Sequence, residues 1–262
     1  MGPKPEKAHM ILTLDVGNTL TDMGFHEPGK PFKVARFKEK GRTEDEAKAS
    51  LSLLLGQLGI EKSDITGAIL CSVVPPLTEV YSKAIPALFG VSPLVMGQKL
   101  KTGVRIDVPV PSEVGNDLVA SCAGAKAKYD RDCVIADLGT ATKVIGFSLQ
   151  RGFIGVSIFP GVGMSAESLS LQTAALPLVG LTLPPDPLGR NTVDAIDSGI
   201  LYGTAAAIKE IGAKIAAHLQ DPLFLLTGGY AEKVDGLLPD YLFDRDLVLT
   251  GLYSIYRRNK GE

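Results

Sequence analysis

Apolar residues gather in short runs that break off at charged or small residues. Ile11-Leu12-Thr13-Leu14 stops at Asp15 and is followed by Gly17, Asn18 and Thr19, which reads as a strand running into a tight polar turn. Cys133-Val134-Ile135-Ala136 does the same, stopping at Asp137 ahead of Gly139, Thr140, Ala141 and Thr142. Two copies of a strand-Asp-x-Gly-polar unit, about half a chain apart, predict an internal duplication.

Helical spacing appears between these units. Ala47, Leu51, Leu54 and Leu58 fall on one face of a helix predicted over 44–58, with Glu44, Asp45 and Glu46 at its positive end. A strand over 68–74 is expected to stop at Pro75-Pro76, and a second helix to run from about Gly115 to Tyr129. After the second unit come a strand over 153–159 and a helix over 163–174 that ends before Pro177. Val193, Ile196, Ile200, Ile208, Ile211, Ile215 and Leu219 mark a long core helix, with a break expected near Gly203. A strand over 223–226 leads into Thr227-Gly228-Gly229, and a short strand over 247–249 precedes a terminal helix. Strands alternating with helices predict an α/β fold in two similar halves of about 120 residues.

At 262 residues and 45% hydrophobic, the chain can bury one large core or two smaller ones. A net charge of -2 without a basic run predicts no nucleic-acid or lipid surface as partner. Cys71, Cys122 and Cys133 are odd in number and widely spaced, which points to a reducing, cytoplasmic setting. No run of about 18 apolar residues predicts a membrane span. Residues 1–9 read as an expression leader with Met10 as the natural start, leaving domains at 10–120 and 121–262.

A carboxylate at a strand end, then glycine, then hydroxyl or amide side chains suits a polyphosphate bound with a hard cation. The acid supplies charge for Mg²⁺, glycine lets backbone N–H groups approach the phosphates, and Thr or Asn adds donors. A single copy could equally be an Asx turn; two copies plus a downstream Gly-Gly turn favour the phosphate reading. Gly24-x-x-x-x-Gly29-Lys30 fails as a P-loop because Pro31 follows. Gly161-x-Gly163-x-x-Ala166 reads as a helix-entry turn rather than a dinucleotide fingerprint. His9 in the leader, His26 in a turn and His218 at a helix end form no metal cluster, and Ser165 and Ser168 have no histidine nearby to activate them.

With these units in place, the chain resembles the actin-like kinases, and within them the type III pantothenate kinases. The resemblance runs from Met10 onward through Asp15-Val16-Gly17-Asn18-Thr19, Arg42-Thr43-Glu44-Asp45-Glu46, Ser72-Val73-Val74-Pro75-Pro76-Leu77 and Lys101-Thr102-Gly103. It continues through Glu113-Val114-Gly115-Asn116-Asp117, Asp137-Leu138-Gly139-Thr140-Ala141-Thr142, Thr173-Ala174-Ala175-Leu176-Pro177 and Asn191-Thr192-Val193-Asp194-Ala195-Ile196, in order.

The resemblance implies two duplicated actin-like (ribonuclease H-like) domains, each a mixed sheet flanked by helices. It implies transfer of the ATP γ-phosphoryl group to the primary hydroxyl of pantothenate, an early step toward coenzyme A. ATP would be held by the Asp15-to-Asp22 hairpin (Asp15, Val16, Gly17, Asn18, Thr19, Leu20, Thr21, Asp22), by Thr140, and by Gly228 and Gly229. Asp117 would be the general base. Val108, Gly115, Asn116, Asp117, Leu118 and Thr173 would line the acceptor site, with Thr173 drawn from the second subunit of a homodimer. Asp15 would help hold Mg²⁺, and Asp137 a monovalent cation, K⁺ or NH₄⁺.

Three positions depart from the family pattern. Leu118 stands where an arginine is usual, Val108 where a tyrosine is usual, and Lys143 where a threonine is common. Lys143 is expected to point to solvent, or else to bring a positive charge near a phosphate. Because the acceptor half departs while the phosphate half is intact, a kinase for another hydroxyl compound and a non-catalytic nucleotide-binding paralogue stay open.

Overall fold

The computed structural model describes residues 9–38, 43–97 and 99–261. Arg42 of the resembling stretch, and the expected leader apart from His9, lie outside the described residues. The chain divides into two compact units. Unit 1 takes the chain through Gly103, then Val114–Lys128, then Val248 onward; unit 2 takes Val104–Glu113 and Tyr129–Leu247. The single division expected near residue 120 thus stands beside a division in which the chain passes between units more than once.

In unit 1, β1 (Met10–Val16), β2 (Leu20–His26) and β3 (Lys33–Lys38) form an antiparallel meander. The chain then enters α1 (Glu44–Leu58), returns as β4 (Ile65–Ser72) parallel to β1, and continues through α2 (Pro75–Phe89) into the short β5 (Leu94–Val95). The sheet order is β3-β2-β1-β4-β5. α1 covers the predicted span because its ends are chemically marked. Thr43 and Glu46 form a reciprocal capping box, and Gly59 closes the helix in the left-handed region at φ 63°. Pro75-Pro76 stops β4 at Ser72 rather than Val74 and also starts α2. Proline lacks a donor that a first-turn residue does not need, so the same dipeptide ends one element and opens the next. Leu12, Leu14, Met23, Phe25, Leu51 and Tyr81 are buried in this unit's core. The unit also holds α3 (Asn116–Tyr129) up to Lys128.

Unit 2 repeats the plan. β6 (Cys133–Leu138), β7 (Ala141–Ser148) and β8 (Gly152–Pro160) form an antiparallel meander. α4 (Val162–Gln172) and α5 (Thr192–Ala216) follow, then β9 (Leu223–Thr227) parallel to β6 and a short β10 (Leu242–Phe243) parallel to β9. The order β10-β9-β6-β7-β8 is the topology of the first sheet, strand for strand. The predicted duplication and α/β class are therefore borne out.

Two local expectations are corrected. α5 runs unbroken through Gly203, since a single glycine lowers helix propensity without removing a hydrogen bond. Residues 247–249 are not a strand but the first turn of α6 (Leu247–Lys260), three apolar residues being compatible with either period.

Candidate active site

The first hairpin is built around a tight turn in which the Gly17 amide donates to the Leu20 carbonyl at 2.9 Å. Asn18 and Thr19 are exposed at its tip, and Val16 and Thr21 are buried beneath it. Strand register places Asp15 directly opposite Asp22, and Asp22 opposite Arg36, whose Nε approaches the Asp22 carboxylate at 3.3 Å. Carboxylates facing each other across strands repel. Paired with phosphate oxygens, they supply the anionic oxygen setting in which Mg²⁺ is held by one or two carboxylates plus a substrate. Among the described residues no group of three or more His, Cys, Asp or Glu side chains could hold a metal alone. The donor set thus fits Mg²⁺ brought in with a polyphosphate rather than a cation bound by protein alone.

The other acidic group of unit 1 stands at the start of α3. Gly115 accepts from the Leu118 and Val119 amides through its carbonyl, at 3.1 and 3.3 Å, which sets the entry of the helix. A Cβ at Gly115 would lie 2.5 Å from Asp117 Oδ1, so the glycine leaves room for that carboxylate. Asp117 is half-buried in the first turn, where the positive end of the helix favours a negative charge. Leu118 is only 6% exposed and is part of the buried face of α3. The Lys101-Thr102-Gly103 stretch is held in the same unit. Asn259 and the backbone of Lys101 exchange two hydrogen bonds, and Lys126 Nζ donates to the Gly103 carbonyl at 2.8 Å.

The second hairpin has the same backbone and different charges. Register pairs Asp137 with Lys143 across β6 and β7, and with Thr227 across β6 and β9. Lys143 Nζ donates to Asp137 Oδ2 at 2.8 Å, and the two side chains are 17% and 11% exposed. Lys143 is therefore not the solvent-facing lysine of the first expectation: an opposite charge directly across the strands holds it in. On the other side of the carboxylate, Gly228 has φ +97°, and a Cβ there would come 2.6 Å from Asp137 Oδ1. Only glycine suits both the left-handed backbone and the close approach. Thr140 is half-buried and Gly229 exposed.

Because an ammonium already occupies the Asp137 carboxylate, this donor set does not fit a free monovalent cation. A second positive charge on the same carboxylate would be repelled by the first.

Val108 and Thr173 belong to unit 2. Val108 lies in a segment strapped to β8 by backbone bonds between Arg105, Asp107 and Phe153 and by the Arg151–Asp107 ion pair at 2.7 Å. Thr173 is exposed; its hydroxyl donates to the Leu169 carbonyl and accepts from the Leu176 amide, closing α4 two residues before the expected end.

Two features escaped the sequence. Unit 2 contains a cavity of about 1050 Å³, lined by apolar Phe159, Met164, Leu176 and Ile200 with Arg190 and Ser165 among its polar groups. Its walls come from β8, α4, α5 and the connection between the two helices, so no local motif announces it. The other is His26, expected in a turn. It is a buried residue ending β2, stacked between Phe32 and Tyr253 at centroid distances of 4.3 Å, with Nε2 3.0 Å from Thr13 Oγ1. Burial pulls the pKa of His26 down to about 4.

The geometry is that of two charged hairpins on one duplicated frame, with a carboxylate at a helix start. The profile of the type III pantothenate kinases matches residues 11–214. The chain belongs to the type III pantothenate kinase family. Curated members are similar to it over nearly their whole length. One from Dehalococcoides mccartyi is 35% identical over 98% of this chain and 99% of its own. Another, from Dictyoglomus turgidum, is 36% identical over 95% and 100%.

Solved structures share the fold at far lower identity. Component A of (R)-2-hydroxyglutaryl-CoA dehydratase from Acidaminococcus fermentans has a TM-score of 0.55 at 14% identity, covering 95% of this chain and 96% of its own. The activator of 2-hydroxyisocaproyl-CoA dehydratase from Clostridium difficile, solved with ADPNP, has 0.53 at 12%, covering 94% and 92%. At these identities the likeness concerns the duplicated actin-like architecture alone.

Proposed function

We propose that this chain transfers the γ-phosphoryl group of ATP to the primary hydroxyl of pantothenate, giving 4'-phosphopantothenate and ADP. The observation that carries this reading is family membership at 35% identity over 98% of the chain, with both phosphate-type hairpins retained. The pantothenate hydroxyl oxygen attacks the γ-phosphorus, the bond to the β–γ bridging oxygen breaks, and the hydroxyl proton passes to the Asp117 carboxylate. Phosphoryl transfer has a loose transition state with charge spread over the phosphoryl oxygens, so positioning and electrostatics supply most of the rate.

Asp15, with Asp22 opposite it, would hold Mg²⁺ arriving with ATP, and that ion would supply positive charge against the phosphate oxygens. The backbone and side chains from Val16 to Thr21, together with Thr140, Gly228 and Gly229, orient the nucleotide. Gly115, Asn116, Val108 and Thr173 border the acceptor; Leu118, being buried, contributes shape rather than a carboxylate-binding charge. The carboxylate anchor that an arginine would supply in other members is thus absent at this position.

The working unit is a homodimer. Leu171 in α4 and Leu178 in the chain that follows it, on either side of Thr173, are 81% and 64% exposed, apolar surface that a second protomer would cover. Sedimentation should give twice the chain mass; a monomer at micromolar concentration would remove the shared pocket. The cytoplasm is the compartment that suits three buried free cysteines. No described helix is long and apolar enough to cross a membrane.

The decisive experiment is ADP release from Mg·ATP with and without pantothenate, with the phosphorylated product identified by mass. Pantothenate-dependent ADP formation supports the reading. Folded protein that binds ATP but forms ADP only with another alcohol, or with none, replaces it.

A further inference from the structure

We propose that Lys143 is a built-in substitute for a monovalent cation at Asp137, so that this chain needs neither K⁺ nor NH₄⁺; the proposal rests on the kinase reading above. Lys143 is set by strand register directly across from Asp137, and its ammonium donates to the carboxylate at 2.8 Å in a site where both side chains are largely buried. An alkylammonium carries the same single charge as K⁺ or NH₄⁺ and donates short, charge-assisted hydrogen bonds. Anchored on β7, it is present at a fixed place whatever the salt. The other carboxylate oxygen faces the backbone of Gly228 closely enough to exclude a Cβ there. With Oδ2 already bonded to an ammonium, a diffusible cation gains little by entering.

The local positive charge that helps hold phosphate oxygens at the second hairpin thus comes from the chain itself. Lysine serves as such a point charge for phosphates elsewhere.

The test compares chloride salts of K⁺, NH₄⁺, Na⁺ and tetramethylammonium at equal ionic strength, on the full chain and on Lys143→Thr. Two readouts are taken: pantothenate-dependent ADP formation, and ATP affinity by calorimetry. Wild-type turnover and affinity should vary by less than about twofold across the salts, whereas Lys143→Thr should fall about tenfold or more in tetramethylammonium and recover in K⁺ or NH₄⁺. Stimulation of the wild type by K⁺ of about tenfold would overturn the proposal, as would a folded Lys143→Thr that K⁺ does not rescue. If Lys143→Thr fails to fold, the wild-type salt series decides alone. If no salt permits turnover with pantothenate, the kinase reading fails, and the calorimetric series still decides the cation question.

Discussion

The two sheets can be read across at one level, and the comparison separates what duplication kept from what it changed. In unit 1 the row is Cys71, Asp15, Asp22, Arg36; in unit 2 the corresponding row is Thr227, Asp137, Lys143, Ile158. Both rows keep the strand-end carboxylate. Its neighbour across the hairpin is a second carboxylate in one unit and an ammonium in the other. The first row holds two carboxylates and one guanidinium, while the second pairs one carboxylate with one ammonium. The difference teaches that one backbone plan can carry two different charge arrangements at the same register.

Several experiments would break or sharpen that contrast. The largest effect is expected at Asp117, which the phosphate hairpins do not replace: Asp117→Asn should lower pantothenate-dependent turnover by about 10²–10⁴-fold. Calorimetry should find ATP affinity nearly unchanged, and retained turnover would place the proton acceptor elsewhere.

Next is a pH effect confined to the first hairpin, since His26 is buried there while His218 of unit 2 is exposed. The folded pKa of His26 is about 4 against 6.5 for a free imidazole. Between those values the unfolded chain binds the extra proton. Stability is therefore whole above pH 6.5 and falls as pH drops toward 4, by about 3 kcal/mol at most. Denaturant titrations from pH 7 to 4 should record this loss, and His26→Gln should flatten that part of the profile.

The two carboxylates should respond oppositely to neutralisation. Asp137→Asn deprives a largely buried ammonium of its partner and should cost about 1.5–3 kcal/mol of stability. Asp15→Asn relieves repulsion from Asp22 and should leave stability within about 0.5 kcal/mol. Its cost should appear in the Mg²⁺ concentration needed for half-maximal turnover, raised about tenfold. Equal destabilisation by the two substitutions would erase the distinction between the rows.

The parts of this arrangement legible in sequence were those with local causes. α1 could be placed because Thr43, Glu46 and the 47-51-54-58 stripe mark its start and its face. The two Asp-x-Gly units, too, are local repeats. β2 and β3 were not foreseen, because Leu20–His26 and Lys33–Lys38 mix charged, small and apolar residues without clean alternation. α2 was hidden behind Pro75-Pro76, which has two meanings. At the site, the acidic residues could be named, but Leu118 could be judged only as a missing arginine and not as a buried core residue.

What the sequence by itself determined is the duplicated frame, its strand-end carboxylates, and the family whose motifs it carries. Periodicity, caps and short motifs act over a few residues and survive being read one position after another. Only the tertiary structure decided which charges meet. That Asp15 faces Asp22 while Asp137 faces Lys143 depends on hairpin register, and a shift of one residue would turn those side chains to the other face.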